Sequence, residues 1–270
     1  MSALTFTLRF PPPQRVDLSA LTPSQLQGKS LAEIAALPIH TTRAPLCVGD
    51  LFALKDGERE AIVFEGGAER LDRLGAQLDA GAIRVIGDAG VEAGRGMTGG
   101  ALTIEGDAGA YAGSGLRGGA LRIGGDAGER LGGPRAGETE GMNGGLIHVS
   151  GRAGPRAADR LRRGFILVEG AAGDYAGSRM IAGTLAIGGK AGALPGYLMN
   201  RGSILLAGGC EQMAATFGDC GIHALTAARL LAAYVDAYSP RLATAFRQPL
   251  RRYAGDLAAL GKGEIFSTTN

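Results

Sequence analysis

Gly100-Ala-Leu-Thr-Ile-Glu-Gly106 and Gly183-Thr-Leu-Ala-Ile-Gly-Gly189 are two copies of one phrase, Gly-x-(Ile/Leu)-x-(Ile/Val/Leu)-x-Gly. Seven copies open at Gly81, Gly100, Gly119, Gly145, Gly164, Gly183 and Gly202, spaced by 19, 19, 26, 19, 19 and 19 residues. A period this regular specifies a stacked-repeat architecture. It also directs the search for function away from the repeated positions, because residues repeated for stacking cannot all be catalytic.

Counting from each opening glycine, position +2 runs from Ile83 to Ile204 and position +4 from Val85 to Leu206, always Ile, Leu or Val. Alternation at period two places both on one face of a strand, with +1, +3 and +5 on the other. Position +6 is glycine in all seven copies; +8 is alanine in six and Cys210 in the last. Position −3 is Leu78, Met97, Leu116, Met142, Leu161, Met180 or Met199. Glycines every few residues exclude a helical solenoid. The expected fold is mainly β: a right-handed parallel β-helix of seven to eight 19-residue coils, about 4.8 Å apart, with short capping helices at both ends. Small residues at +6 and +8 are expected to make the tight corners. The 21 aliphatic side chains at −3, +2 and +4 are expected to fill the interior. The four methionines among them are read as core and not as a soft-metal track.

Outside the clear repeats, Ile62-Val-Phe64 reads as a degenerate eighth coil, and Gly49-Asp-Leu-Phe-Ala-Leu54 as a lead-in strand. Residues 18–38 contain a short helix with Ser30 as N-cap, stopped by Pro38. After the coils, 222–237 reads as an amphipathic helix with Ile222, Leu225, Ala228, Ala232 and Val235 on one side. Ser239-Pro240 starts another helix. Gly255-Asp-Leu-Ala-Ala-Leu260 echoes 49–54 and is read as a final strand of the same kind. One structural domain is expected, divided as an N-terminal cap region 1–60, the β-helix 61–210 and a C-terminal helical cap and tail 211–270.

A formal net charge of +2 argues against a nucleic-acid partner. Three scattered cysteines, Cys47, Cys210 and Cys220, form neither a disulfide framework nor an iron–sulfur motif. The opening Met1-Ser-Ala-Leu-Thr-Phe-Thr-Leu-Arg-Phe10 reads as a short strand, not a signal peptide, and no apolar run approaches the roughly 18 residues of a membrane span. A cytoplasmic protein without a membrane partner is expected.

Candidate sites are few. Gly94-Arg-Gly-Met-Thr-Gly99 and Gly113-Ser-Gly-Leu-Arg-Gly118 match the dinucleotide fingerprint Gly-x-Gly-x-x-Gly, but each runs into a further strand and recurs at the repeat period, so both are read as corners. Cys220-Gly-Ile-His223 has metal-ligand spacing without a second pair, and is read as a packed thiol near a helix start. His148 at an outward +3 position and His40 in a loop have no evident acid–base partner. No catalytic, cofactor-binding or metal-ligating residue is assigned to this chain.

Two irregularities stand out. Outward +3 begins polar, Arg84, Thr103 and Arg122, then turns apolar after His148 as Leu167, Ala186 and Leu205; +1 likewise gains Leu146 and Phe165. Such a strip requires cover, from a partner subunit or from the C-terminal helices. The 26-residue spacing marks a seven-residue insertion within Gly133-Pro-Arg-Ala-Gly-Glu-Thr-Glu140, read either as a docking or gating loop or as a neutral surface excursion.

With the glycine-rich coils, Val48-Gly-Asp-Leu-Phe52, Phe217-Gly-Asp-Cys-Gly221 and the tail from Arg251-Arg-Tyr-Ala-Gly-Asp256 to Phe266, nearly the whole chain resembles the C subunit of formylmethanofuran dehydrogenase. It is especially similar to its bacterial counterpart in the formyltransferase/hydrolase complex. The resemblance implies a non-catalytic scaffold in a hetero-oligomer of one-carbon metabolism, in the formaldehyde oxidation pathway. Its implied partners are a formyltransferase, which moves a formyl group between tetrahydromethanopterin and a methanofuran-type carrier, a metal-dependent amidohydrolase that releases formate, and a B-type subunit. Carrier, pterin and metal are implied on those partners. In the archaeal version a molybdenum or tungsten and iron–sulfur partner handles redox. The coils alone are also similar to the C-terminal domain of the glutamate synthase large subunit, an alternative in nitrogen assimilation. An independent enzyme with a site on a coil face would need a carboxylate and basic cluster that the outward ladders do not show.

Overall fold

Each glycine-framed phrase forms one strand, and successive strands pair in parallel without exception. The computed structural model describes residues 2–268; Met1, Thr269 and Asn270, at the extremes of the expected end regions, lie outside the described residues. The protein is mainly β. Thirteen strands form one sheet: β1 (Ala3–Leu8), β2 (Phe52–Lys55), β3 (Glu58–Gly67), β4 (Ala82–Gly87), β5 (Ala101–Ile104), β6 (Ala120–Ile123), β7 (Asn143–Val149), β8 (Arg163–Val168), β9 (Thr184–Ile187), β10 (Arg201–Leu206), β11 (Gly218–His223), β12 (Leu250–Gly255) and β13 (Lys262–Thr268). Their spatial order is β11-β12-β13-β10-β9-β8-β7-β6-β5-β4-β3-β1-β2.

Register follows the period. Leu102 pairs with Ile83 and Leu121, and Ile147 with Leu121 and Ile166, so the same position lies beside itself from repeat to repeat. The expected degenerate repeat is present as β3, where Ile62 pairs with Ile83 and Phe64 with Val85. A second ladder runs through position +8, by parallel bridges from Ala89 through Ala108, Ala127, Ala153 and Ala172 to Ala191, and on to Cys210. All 21 side chains at −3, +2 and +4 are buried, none more than 1 % exposed. Burying a Leu, Ile, Val or Met side chain stabilises by roughly 1.5–3 kcal/mol, so this interior dominates the favourable terms.

The left-handed backbone falls at the opening glycines, whereas of the +6 and +8 positions only Gly87 is left-handed. All seven opening glycines have positive φ, between 66° and 105°. A Cβ on Gly100 would lie 2.7 Å from the Gly81 carbonyl oxygen, so that position excludes a side chain twice over. Position +6 is glycine mainly through crowding: a Cβ on Gly106 would meet Asp88 Oδ1 at 2.1 Å. Position +11 is left-handed in six repeats while carrying Glu92, Tyr111, Arg130, Arg156, Tyr175 and Leu194. No glycine announces it.

The ends depart from the repeat. Near the N-terminus are two short helices, α1 (Pro23–Leu26) and α2 (Leu31–Ala35); Ser30 caps α2 reciprocally with Glu33. The expected lead-in strand 49–54 is half helical: α3 (Val48–Leu51) precedes β2, which runs antiparallel to β1. His40 lies on a strand, Pro38–Thr41, not in a loop. Towards the C-terminus, α4 (Thr226–Asp236) begins later than expected, and Ile222 belongs to β11 and is exposed. Helix α5 (Pro240–Arg247) starts as expected, with the Ser239 hydroxyl accepting from Leu242 N–H at 3.1 Å. Of residues 255–260 only Gly255 is in a strand, as the end of β12: Asp256 is buried and accepts from Leu198 N–H at 2.9 Å and Ala258 N–H at 2.8 Å, which organises a turn. The final strand is β13, and it adds a parallel rung, with Gly263 beside Gly202 and Ile265 beside Ile204.

The apolar outer strip is covered from within the chain. Leu146, Leu167, Ala186 and Leu205 pack with Ala228, Ala232 and Val235 of α4, Leu242, Ala243 and Phe246 of α5, Leu250 and Phe266 in a second buried cluster. Phe165 lies 4.3 Å, ring to ring, from Tyr234. Of the two expected covers, the C-terminal helices provide it and a partner subunit does not. Because residues of α4 and α5 pack on this strip, charging Leu167 and Leu205 is expected to disrupt the fold.

Candidate functional site

The insertion that breaks the period builds one wall of a concavity. It leaves the stack after Gly133 and is tied to repeats on both sides. Arg95 donates to Glu138 at 2.7 Å, Arg135 pairs with buried Glu92 at 3.1 Å, Arg162 pairs with Glu140, and Arg160 donates to the Thr139 carbonyl at 3.2 Å. Arg135 N–H closes the tip onto Glu138 at 2.9 Å. The insertion is a pinned wall, and behind it lies a cavity of about 770 Å³.

Stacking decides what faces this cavity. Thr98, Arg117 and Asn143 each stand two residues before a repeat junction, and backbone bonds from Arg117 N–H to Met97 and from Asn143 N–H to Leu116 set them side by side. Ser114 and Arg95 stand at +14 of adjacent repeats. Arg73 completes the floor, paired with Asp17 at 2.6 Å. Among the described residues, Arg117 has no carboxylate within ion-pair distance. Of the five buried side-chain polar atoms without a hydrogen-bond partner among the described residues, three belong to residues of this lining: Ser114 Oγ, Asn143 Oδ1 and Arg73 Nε. No histidine or cysteine lines the space, so its chemistry is hydrogen bonding and charge, not nucleophilic or acid–base catalysis by those groups.

The other candidates resolve individually. The two Gly-x-Gly-x-x-Gly matches are corners followed by β5 and β6, with no helix N-terminus to receive a pyrophosphate. Cys220 is exposed on β11, not packed; the His223 ring nitrogen lies 2.7 Å from the Cys220 carbonyl and so faces backbone, not thiol. Cys210 is the half-buried thiol, and burial pushes its pKa up against the pull of Lys190. Among the described residues no group of three or more His, Cys, Asp or Glu side chains is placed to hold a metal.

His148 corrects the expectation that it lacks a partner. Its Nε2 lies 3.2 Å from Glu169 Oε1, beneath Arg241, which donates to the Glu169 carbonyl at 3.2 Å. The offset is 21 residues, +3 of one repeat to +5 of the next, and Arg84 meets Glu105 across the same diagonal. Reading +3 against the following +5 finds both pairs. A second missed column is Asp88, Asp107 and Asp126 at +7, whose carboxylates accept from the backbone N–H of Asp107, Asp126 and Arg152 at 2.8, 2.7 and 2.7 Å. That column ties successive exposed turns together.

The chain matches no protein-family model. A stretch of 86 residues is 48% identical to the Fhc C subunit of the formyltransferase/hydrolase complex of Methylorubrum extorquens, covering 32% of this chain and 32% of that protein, so the matched stretch spans about a third of that curated relative. The whole fold is similar to a chain in the X-ray crystal structure of the formyltransferase/hydrolase complex FhcABCD from the same organism in complex with methylofuran. The TM-score is 0.91 at 43% sequence identity, over 98% of this chain and 100% of that one.

Proposed function

The chain belongs to the family of formyltransferase/hydrolase complex C subunits, and from that premise we propose that it is the non-catalytic scaffold of such a complex in the cytoplasm. The assembly would move a formyl group between tetrahydromethanopterin and a methanofuran-type carrier and release formate. A formyltransferase, a metal-dependent amidohydrolase and a B-type subunit are its partners, and they hold carrier, pterin and metal. The observation that carries the reading is the near full-length match, at 43% identity, to a chain of FhcABCD.

Two features of the chain support a structural role. Its buried carboxylates serve the fold: Asp159 pairs with Arg179 and accepts from Ser178 at 3.0 Å, and Asp256 holds a turn. Exposed large apolar residues collect in the C-terminal region, at Ile222, Leu230, Tyr234, Leu257 and Leu260, where a partner would dry them. Among the described residues, no helix is long and apolar enough to cross a membrane. We read the repeats as a right-handed parallel β-helix over 61–210, capped by 1–60 and 211–270; the sheet ladder and the +8 ladder support one closed coil per repeat.

Affinity purification of the tagged full chain from its own cells tests the assignment. Mass spectrometry is expected to find an amidohydrolase, a formyltransferase and a B-type subunit in fixed ratio. Recovery with a molybdenum or tungsten subunit would overturn the hydrolytic version, and recovery of the chain alone would overturn the scaffold reading.

A further inference from the structure

We propose that the cavity behind the insertion is a binding site for a small oxyanion, a carboxylate or phosphate, held by Arg117 and Ser114 with Thr98 and Asn143 beside them. This goes beyond the scaffold reading and does not depend on it. At about 770 Å³ the cavity lies within the range of roughly 300–1,000 Å³ typical of small-molecule sites.

Charge balance selects the sign of the ligand. The lining contains Arg73, Arg95 and Arg117 against Glu138 and Glu140. Both glutamates are already neutralised, Glu138 by Arg95 at 2.7 Å and Glu140 by Arg162. Arg73 is engaged by Asp17. Arg117 remains the unneutralised charge, and its planar fork matches the two oxygens of a carboxylate or phosphate.

The buried hydroxyl of Ser114 points the same way. Ser178 stands at the same +14 position further along the stack, after β8, and its hydroxyl donates to Asp159 at 3.0 Å. Ser114 is equally buried, at 0 % exposure, but its neighbours at +14 are Arg95 and Gly133, neither of which accepts a side-chain hydrogen bond. Its hydroxyl has no partner. A buried polar group left unpaired is costly, and a native fold retains one where something else completes it. Asn143 Oδ1, one rung beyond Arg117, is also unpartnered, but it is an acceptor that an oxyanion does not satisfy. One hydroxyl and one free guanidinium thus line the same cavity, and the insertion supplies its opposite wall. An oxyanion bound there satisfies the donors without disturbing the existing ion pairs.

Calorimetric titration of the full-length protein, in the assembly in which it is isolated, tests this with inorganic phosphate and glutarate as separate probes at constant ionic strength. Saturable one-to-one binding of at least one probe is expected, and the tighter one identifies the oxyanion class. Arg117→Gln is expected to weaken that probe about tenfold or more, the size of one lost charge-assisted hydrogen bond. Ser114→Ala is expected to weaken it about threefold to tenfold while leaving the melting temperature no lower. Arg201→Gln removes a positive charge from a distant part of the stack and is expected to change nothing. Binding of neither probe, or equal weakening by Arg117→Gln and Arg201→Gln, would overturn the site. So would a cavity that binds only after partner subunits are stripped away, because a partner side chain would then be its occupant. Copurification of partners is read separately, so either proposal can fail alone.

Discussion

At position +3 the first three clear repeats set Arg84, Thr103 and Arg122 outward, and the last three set Leu167, Ala186 and Leu205 there. Behind both halves lies the same interior, buried in every repeat. The inner ladders hold constant because each residue packs on copies of itself above and below, so a change at one rung strains two others. The outer face has no such constraint. In the first half it meets solvent and is held by pairs such as Arg84–Glu105; in the second it meets α4 and α5 and is apolar. What covers a strand, and not the repeat itself, sets its outer residues.

The strongest way to break this comparison is at the shared interior. Ile166→Asp places a charge in a ladder that is fully buried, at a cost of several kcal/mol. That is comparable to the whole stability of an ordinary domain, about 5–15 kcal/mol, so no soluble folded protein is expected by circular dichroism. A normally folded variant would show that the interior is not continuous.

The outer faces separate next. Leu205→Ala removes packing beneath the C-terminal helices and is expected to cost about 2–5 kcal/mol in denaturant unfolding. Thr103→Ala, at the same position in the solvent-facing half, is expected to change stability by no more than about 0.5 kcal/mol. Equal losses would erase the distinction between the halves.

The smallest effect concerns the +7 column. The Arg152 backbone N–H, and then its guanidinium, hold the Asp126 carboxyl below the usual carboxylate range. A carboxyl with a lowered folded-state pKa stabilises above its unfolded value of about 3.9 and loses that contribution as pH falls through the lower folded value. Asp126→Asn keeps an acceptor for the backbone but loses the charge. Because this ion pair is well exposed, the wild type is expected to melt only slightly above the variant near neutral pH. The gap should close in acid, and a gap that persists below about pH 2 would exclude ionisation as its cause.

The stacked strands were legible because their period is written in residue types: glycine, then branched aliphatics at alternate positions. The N-cap at Ser30 and the start of α5 were legible from local chemistry; the reciprocal bond from Glu33 was not read. The lead-in at 49–54 was not, because Val48 to Leu51 closes a helical turn capped by Asp50 that alternation does not report. The final rung was missed because β13 joins the sheet beside β10 after 55 intervening residues, beyond any periodic reading. The cavity was invisible for a related reason. Its walls come from four successive repeats, the last of which carries the insertion, and only the stack brings Arg117, Ser114 and Asn143 together.

Repeats that stack on their own kind contain no instruction to stop. In this molecule the instruction lies in strand direction. The stack is closed at one end by β2 and at the other by β12 and β11, all running antiparallel to their neighbours. The outermost, β11, is bulged between Asp219 and Ile222 and carries an Asp219–Arg251 pair at 2.5 Å. Bulges and charges on an edge deter further strands from adding. Deletion of β11 and β12 would leave β13 as an open parallel template on which a strand of another copy could add. The C-terminal residues therefore act as a ruler for the whole molecule.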